Sequence, residues 1–178
     1  LVPMLLEQGH EVLVLTRFHR SGIEEKHGNV RYLYADLRDS VKLNNTLKDF
    51  YPETVVHLAW EGLPDYSLEM CKRNLEHSLN MFSLAAKVGC SCILSTGSCW
   101  EYECRSGQLT ENDTLNTAAI FSAVKNSLRF VGEAIAKENG IKFYWLRLFF
   151  VYGPGQRPGS LIPHIIEFAK NGLAPQIK

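Results

Sequence analysis

The sequence predicts an α/β domain built on a parallel sheet with helices over both faces. Three observations carry that expectation. Short aliphatic stretches alternate along the chain with longer segments whose apolar residues recur at helical spacing. Residues 54–59 (TVVHLA) are apolar almost throughout, the pattern of a strand buried on both faces. Glycine or Asn-Gly closes the helical segments, at Gly9, Gly89 and Asn139-Gly140, where a left-handed residue stops a helix without a steric penalty.

The elements follow in order. Residues 1–8 read as the second half of a helix with Leu1, Met4 and Leu5 on one face. Residues 11–17 (EVLVLTR) and 30–35 (VRYLYA) are β-branched and aliphatic, hence strands. Ser40 is the expected cap of a helix whose face carries Val41, Leu43, Leu47 and Phe50. The strand at 54–59 is followed by a long helix at about 74–88, then a strand at 91–96. A helix at 119–138, a strand at 142–149, a Gly/Pro-rich turn at 153–159 and a helix at 161–171 complete the pattern.

Composition narrows the function classes. Hydrophobic residues make up 46% of the 178 positions and charged ones 21%, so a sizeable core can form without disulfides or metal. Nineteen basic residues balance nineteen acidic ones with no charged block, which disfavours nucleic acid or an anionic membrane as partner. No apolar run approaches the ~20 residues of a membrane span. The five cysteines (Cys71, Cys90, Cys92, Cys99 and Cys104) are odd in number, form no CxxC pair and follow no secretory leader, so a reducing, cytoplasmic location is expected. Cys90-x-Cys92 and Cys99-x4-Cys104 lack the second pair or nearby histidine of a zinc site, so no metal is expected. Without an initiator Met, and opening in mid-pattern, the sequence reads as a piece of a longer chain.

In an open parallel sheet, ligands bind beyond the carboxyl ends of the strands. The positions to inspect are therefore Thr16 and Arg17, Asp36 and Leu37, Leu58 to Trp60, Thr96 to Ser98, and Phe149 onward. The irregular stretch 97–117 is long enough to shape a pocket.

Five pieces in a fixed order make this set specific: HLAW (57–60), KRNLEHSLNMFSLAAKVG (72–89), LSTGSCWEYE (94–103), FSAVK (121–125) and RLFFVYGPGQRP (147–158). Together they resemble the extended short-chain dehydrogenase/reductase family, the NAD(P)-dependent epimerases, dehydratases and reductases of nucleotide sugars. The resemblance implies a doubly wound, Rossmann-type parallel sheet. It places an NAD(P)-binding domain at 1–155 and the start of a substrate-binding lobe at 156–178, with the first strand and its Gly-rich turn outside this chain. Members often form a homodimer through two helices, here those at 72–88 and 119–138.

On the cofactor side, NAD-preferring members carry an acid after the second strand, where this chain reads Thr16-Arg17-Phe18-His19-Arg20. Arg17 can clamp a 2′-phosphate in a bidentate way, so NADP(H) is favoured over NAD(H); the alternative is that Arg17 and Arg20 are solvated loop cations. Asp36-Leu37 matches the Asp-aliphatic pair placed against the adenine. Leu58-Ala59-Trp60 matches the tripeptide beside the pyrophosphate and ribose, with Trp60 bulkier than usual. Asn74 matches an Asn behind the active site, Thr96 the nicotinamide side, and Phe149 a residue packed near the nicotinamide.

The family's chemistry uses a Ser or Thr hydroxyl, a Tyr and a Lys. The resemblance puts the hydroxyl on Ser98 and the Tyr-x-x-x-Lys motif on Phe121-Ser122-Ala123-Val124-Lys125. Lysine is present and tyrosine is replaced by Phe121, which can neither give nor take a proton. Three readings stay open: an enzyme whose proton is rerouted through Ser122, Glu101 or Tyr102, a catalytically silent nucleotide-binding sensor or scaffold, and a decaying gene copy. Phe150 stands where many members have an Asn that orients the nucleotide sugar, and is expected to be core. His57, Phe82 and Phe130 are also expected in the core, and Lys72–Glu76 on a solvated helix face.

Overall fold

The β-branched and aliphatic stretches form strands within a residue or two of their predicted limits: β1 (Val12–Thr16), β2 (Val30–Tyr34), β3 (Thr54–His57), β4 (Cys92–Ser98) and β5 (Lys142–Leu148). The computed structural model describes residues 1–17, 29–103, 107–153, 156 and 160–174, so Arg20 and Cys104 lie outside the described residues. β1 and β2 pair in parallel from Val12↔Val30 to Thr16↔Tyr34, and β3 pairs in parallel with β4 from Thr54↔Cys92 to His57↔Ser95. β5 lies on the other side of β4. Among the described residues no strand joins β1 to β3, so there are two sheets, β1-β2 and β3-β4-β5. This is the neighbour pattern that strands 2 to 6 have in the doubly wound order 3-2-1-4-5-6. Leu13, Leu15 and Leu33 of the first sheet pack against the same core as the second.

The helices are α1 (Val2–Glu7), α2 (Ser40–Phe50), α3 (Leu68–Lys87), α4 (Ile120–Glu138) and α5 (Leu161–Lys170), with a 3₁₀ turn at Cys99–Glu101. Asp39 rather than Ser40 caps α2, its carboxylate accepting the Lys42 amide at 3.0 Å. On α2 Leu43 and Leu47 face the core, whereas Val41 is 73% exposed. α3 starts well before Asn74: Ser67 accepts the Met70 amide at 3.3 Å, and the first turn carries Glu69. That turn escapes the apolar pattern because Leu68 points to solvent.

α3 and α4 pack on each other and on one face of β3-β4-β5. Phe82, Ile93 and Leu128 are buried there, and Phe82 meets Phe143 edge to face. His57 is buried as expected. Its Nε2 shares a 2.9 Å hydrogen bond with Ser78 Oγ, and burial, then the nearby Lys125 charge, push its pKa down to about 4. β3 is not buried on both faces: Val55 and His57 are buried and Thr54 and Val56 are exposed. The reason is one-sided packing, since the outward set of β5, including Tyr144 and Leu146, is also exposed. Phe82 is core as predicted, but Phe130 is half exposed, with the Arg129 guanidinium over its ring.

Two compact units divide the chain, Leu1–Arg147 and Leu148–Lys178. The second contains α5, in which His164 packs on Phe168 with ring centroids 4.3 Å apart. Phe150 is 87% exposed, so it is not the core residue that its aromatic character predicts.

Gly132 is where α4 comes nearest to the sheet. A Cβ there would meet the Phe143 ring at 2.7 Å and the Phe82 ring at 3.0 Å. Alanine normally stabilises a helix interior by about 1 kcal/mol over glycine, whereas overpacking a tight core costs about 1–3 kcal/mol. Phe82 is fully buried and the partly buried Phe143 packs against the same core, so the second effect wins. Gly132→Ala is expected to lower the unfolding free energy in urea by about 1 kcal/mol; an increase would show that the rings can yield.

Candidate active site at the carboxyl edge of the sheet

β4 runs out at Thr96-Gly97-Ser98 and turns directly into the 3₁₀ turn. The turn is held by a reciprocal cap. Ser98 Oγ accepts the Trp100 amide at 3.2 Å, and the Ser98 amide donates to Glu101 Oε1 at 2.6 Å. The second Glu101 oxygen accepts Trp145 Nε1 at 2.8 Å and Arg147 Nε at 3.0 Å. The Arg147 guanidinium continues to Tyr102, whose hydroxyl accepts Nη1 at 2.9 Å. Gly97 has no room for a Cβ, because Trp145 Nε1 and Glu101 Oε1 already fill that place.

Lys125 comes to this turn from α4. It is 5% exposed, and its ammonium donates to the Thr96 carbonyl at 2.9 Å while lying 3.8 Å from the centre of the Trp60 ring. Burial pulls its pKa down from 10.5 to about 8, against the raising effect of the Glu101 carboxylate. Phe121, one helical turn earlier, packs edge-on against Trp60, Tyr66 and Trp100, with ring centroids 5.5, 5.1 and 6.1 Å away. The helix spacing of the FSAVK segment thus brings Lys125 to Thr96 at the end of β4 and Phe121 to Trp100 on the turn that follows.

The candidate substitutes for a missing phenol are engaged elsewhere. Ser122 Oγ donates to the Trp100 carbonyl at 2.6 Å, and Glu101 and Tyr102 are buried in the network with Arg147. Tyr66 is the phenol that sequence reasoning missed. It stacks on Trp100 at 5.3 Å, touches Phe121 and is 38% exposed. No local signal marks it, because its position depends on how the segment between β3 and α3 folds back.

On the other flank, Leu58 and Ala59 are exposed at the end of β3. Among the described residues no hydrogen-bond partner reaches the buried Trp60 Nε1. Asn74 is 4% exposed and points inward as a clamp: Oδ1 accepts the Glu61 amide at 2.8 Å, and Nδ2 donates to the Glu61 carbonyl at 3.1 Å. Arg17, after β1, is ion-paired with Glu61. Asp36 accepts the Arg38 guanidinium, and secondarily its amide, each at 2.9 Å, which holds its carboxyl down at about 2. The Leu37 carbonyl accepts Asn80 Nδ2 at 3.0 Å, and Leu37 borders an open cleft of about 530 Å³ with Arg38, Lys72 and His77. Phe149 is half exposed and belongs to the second unit. Among the described residues no cluster of His, Cys, Asp or Glu could hold a metal, and no helix is long and apolar enough to cross a membrane.

The model of the NAD dependent epimerase/dehydratase family matches residues 1–178. The chain belongs to this family. Among curated members it is 24% identical over 184 residues to a probable UDP-glucuronate 4-epimerase of Rhizobium meliloti (strain 1021), a match covering 94% of this chain and 54% of that protein. Among solved structures it superposes on the Bordetella bronchiseptica enzyme WbmG in complex with NAD, with a TM-score of 0.79 and 22% identity over 97% of this chain and 55% of that one. The UDP-glucose 4-epimerase of Thermus thermophilus, also in complex with NAD, gives a TM-score of 0.76 at 24% identity, covering 97% of this chain and 58% of that one. The chain thus spans about half the length of the relatives it matches, and its fold is the Rossmann-type fold of these epimerase/dehydratase relatives.

The buried ammonium has a measurable signature. The folded-state pKa of Lys125 lies below that of the unfolded chain, so between about pH 8 and 10.5 the unfolded state binds more protons. Stability contributed by this group therefore rises with pH across that window, by roughly 3 kcal/mol at most. Chemical denaturation of the chain and of Lys125→Met should show this rise only in the former; parallel curves would place the ammonium in solvent.

Proposed function

We propose that the protein carrying this chain is a nicotinamide-dinucleotide-dependent enzyme of the epimerase/dehydratase type. Its substrate in this reading is a nucleotide-activated sugar. The observation that carries the reading is the approach of Lys125 to Thr96 at the end of β4, with Ser98 on the same turn and position 121 one helical turn earlier. The family relationship, the likeness to the UDP-glucose 4-epimerase of Thermus thermophilus and the NAD held by both solved structures support it. The residues present fit a dinucleotide: the exposed Leu58-Ala59 edge admits a ligand backbone, and Trp60 Nε1, without a partner among the described residues, is a donor for it.

Bound there, a nicotinamide dinucleotide supplies the hydride acceptor and donor. The chain's own residues handle orientation and the proton. Ser98 Oγ accepts from Trp100, which leaves its own O–H to donate to a sugar oxygen. Lys125 supplies positive charge, and two further N–H donors beyond the one given to Thr96 can hold ribose hydroxyls. Phe121 occupies the place of the Tyr in the Tyr-x-x-x-Lys motif. In the enzyme reading, Tyr66 is the hydroxyl that moves the proton, because Ser122, Glu101 and Tyr102 serve the fold.

The second reading, a catalytically silent nucleotide-binding sensor or scaffold, is favoured by the packing of Phe121 among three aromatic rings with no proton-bearing atom of its own. NADP(H) and NAD(H) are both compatible with the class of cofactor; Arg17 in isolation supports the former. A cytoplasmic location, a homodimer through α3 and α4, a cofactor domain ending near residue 155 and a substrate lobe beginning at 156 belong to the same proposal. Phe130 and Val131 give α4 exposed apolar surface for a partner.

The test is turnover of UDP-sugars by the intact protein as encoded, followed by nicotinamide absorbance and product analysis. Phe121→Tyr is expected to raise the rate, since a positioned acid–base group contributes about 10²–10⁴-fold. Tyr66→Phe is expected to lower the wild-type rate by a comparable factor and to matter far less once Phe121→Tyr is present. Cofactor binding with no turnover in either form would establish the silent reading.

A further inference from the structure

The end of β1 holds a cation, Arg17, whose guanidinium is ion-paired with the carboxylate of Glu61 from the segment after β3. Glu61 is fixed from both sides of its peptide by the buried Asn74 side chain, at 2.8 and 3.1 Å. Asn74 Nδ2 is itself anchored to the Met70 carbonyl at 2.9 Å, one turn back on α3. Arg73 adds a second cation, 3.7 Å from Glu61 Oε1. The Glu61 side chain is only 18% exposed, against 43% for Arg17. Its carboxylate is therefore a built feature of the carboxyl edge between β1 and β3 rather than a mobile surface charge.

In a doubly wound sheet the adenosine ribose lies at this edge, and an acid that hydrogen-bonds its 2′-hydroxyl selects NAD over NADP. After β1 this chain has Thr16 and Arg17 where that acid would be. We propose that Glu61 supplies it from the neighbouring crossover and sets the preference toward NAD(H). The inference rests on the reading that a nicotinamide dinucleotide binds at this edge. A 2′-phosphate carries nearly two negative charges, so it would compete with Glu61 for Arg17 while facing a carboxylate whose backbone Asn74 anchors and whose oxygens Arg17 and Arg73 hold at this edge. A 2′-hydroxyl meets no such conflict: it can donate to Glu61 and leave the Arg17 pair intact. Asn74 is then a positioning residue that acts through Glu61.

The experiment is fluorescence titration of the intact protein with NADH and with NADPH, for wild type, Glu61→Gln, and Glu61→Gln combined with Arg17→Gln. Wild type is expected to bind NADH at least tenfold more tightly than NADPH. Glu61→Gln preserves the shape and an acceptor oxygen while removing the negative charge beside Arg17, so the ratio of the two dissociation constants should fall tenfold or more. Adding Arg17→Gln should remove the NADPH gain, because the Arg17 charge is its source. A wild-type preference for NADPH, or a ratio unmoved by Glu61→Gln, would overturn the assignment while leaving the cofactor reading in place. Failure of wild type to bind either nucleotide would overturn both. A wild-type preference for NADPH overturns the assignment without any variant, and Glu61→Ala supplies the ratio if Glu61→Gln does not fold.

Discussion

A carboxylate shut away from solvent must be met by donors, and around Glu101 three donors from two strands meet it. The amide of Ser98, the indole of Trp145 and the guanidinium of Arg147 all donate to it. These bonds tie the end of β4 to β5 and dictate the sharp turn after Thr96. Removing one partner of such a buried pair typically costs about 3–5 kcal/mol, because the other charge is left uncompensated. The same carboxylate explains why position 97 is glycine: its oxygen and the Trp145 indole take the volume a Cβ would need. The Ser98 hydroxyl and the Thr96 carbonyl, to which Lys125 donates, are placed where they are because Glu101 is satisfied.

Around that turn, chemistry and packing compete for the same surface. Lys125 would be a poor buried cation without the Thr96 carbonyl and the Trp60 face, and even so its pKa falls from 10.5 to about 8. A lysine tuned in this way is common where charge must be delivered to a reacting group, although structural burial alone produces it too. Phe121 completes an aromatic wall with Trp60, Tyr66 and Trp100. A phenol there would bring a hydroxyl to the wall; the phenyl ring leaves Tyr66 as the phenol in contact with it.

The flank between β1 and β3 follows a different rule, in which one buried amide organises charge. Asn74 satisfies both the N–H and the C=O of Glu61, so an irregular backbone segment is held as firmly as a strand. That backbone anchoring puts the Glu61 carboxylate within reach of both Arg17 and Arg73. In the sequence Asn74 and Arg17 stand far apart with nothing to link them, and Glu61, an acid in a loop, carries no local signal.

By itself the sequence determined the α/β class, the order and limits of the strands, and the presence of lysine without its tyrosine. These are local properties: periodicity, β-branching, glycine stops and residue identity. Arg17 and Ser98 stand at strand ends, which a parallel sheet gathers at one edge, whereas Lys125 and Asn74 lie on helices and are marked in the sequence only by the family resemblance. Only the tertiary structure decided what each of them touches. Ser40 lost its capping role to Asp39, since only a short backbone difference separates the two. Residues 54–57 proved one-sided because burial of the second face depends on what packs there. Ser122, Glu101 and Tyr102 became structural, and Tyr66 came to Phe121, through contacts between segments far apart in the chain. No pattern within a short window encodes such contacts, since their energy exists only once the core has brought the segments together.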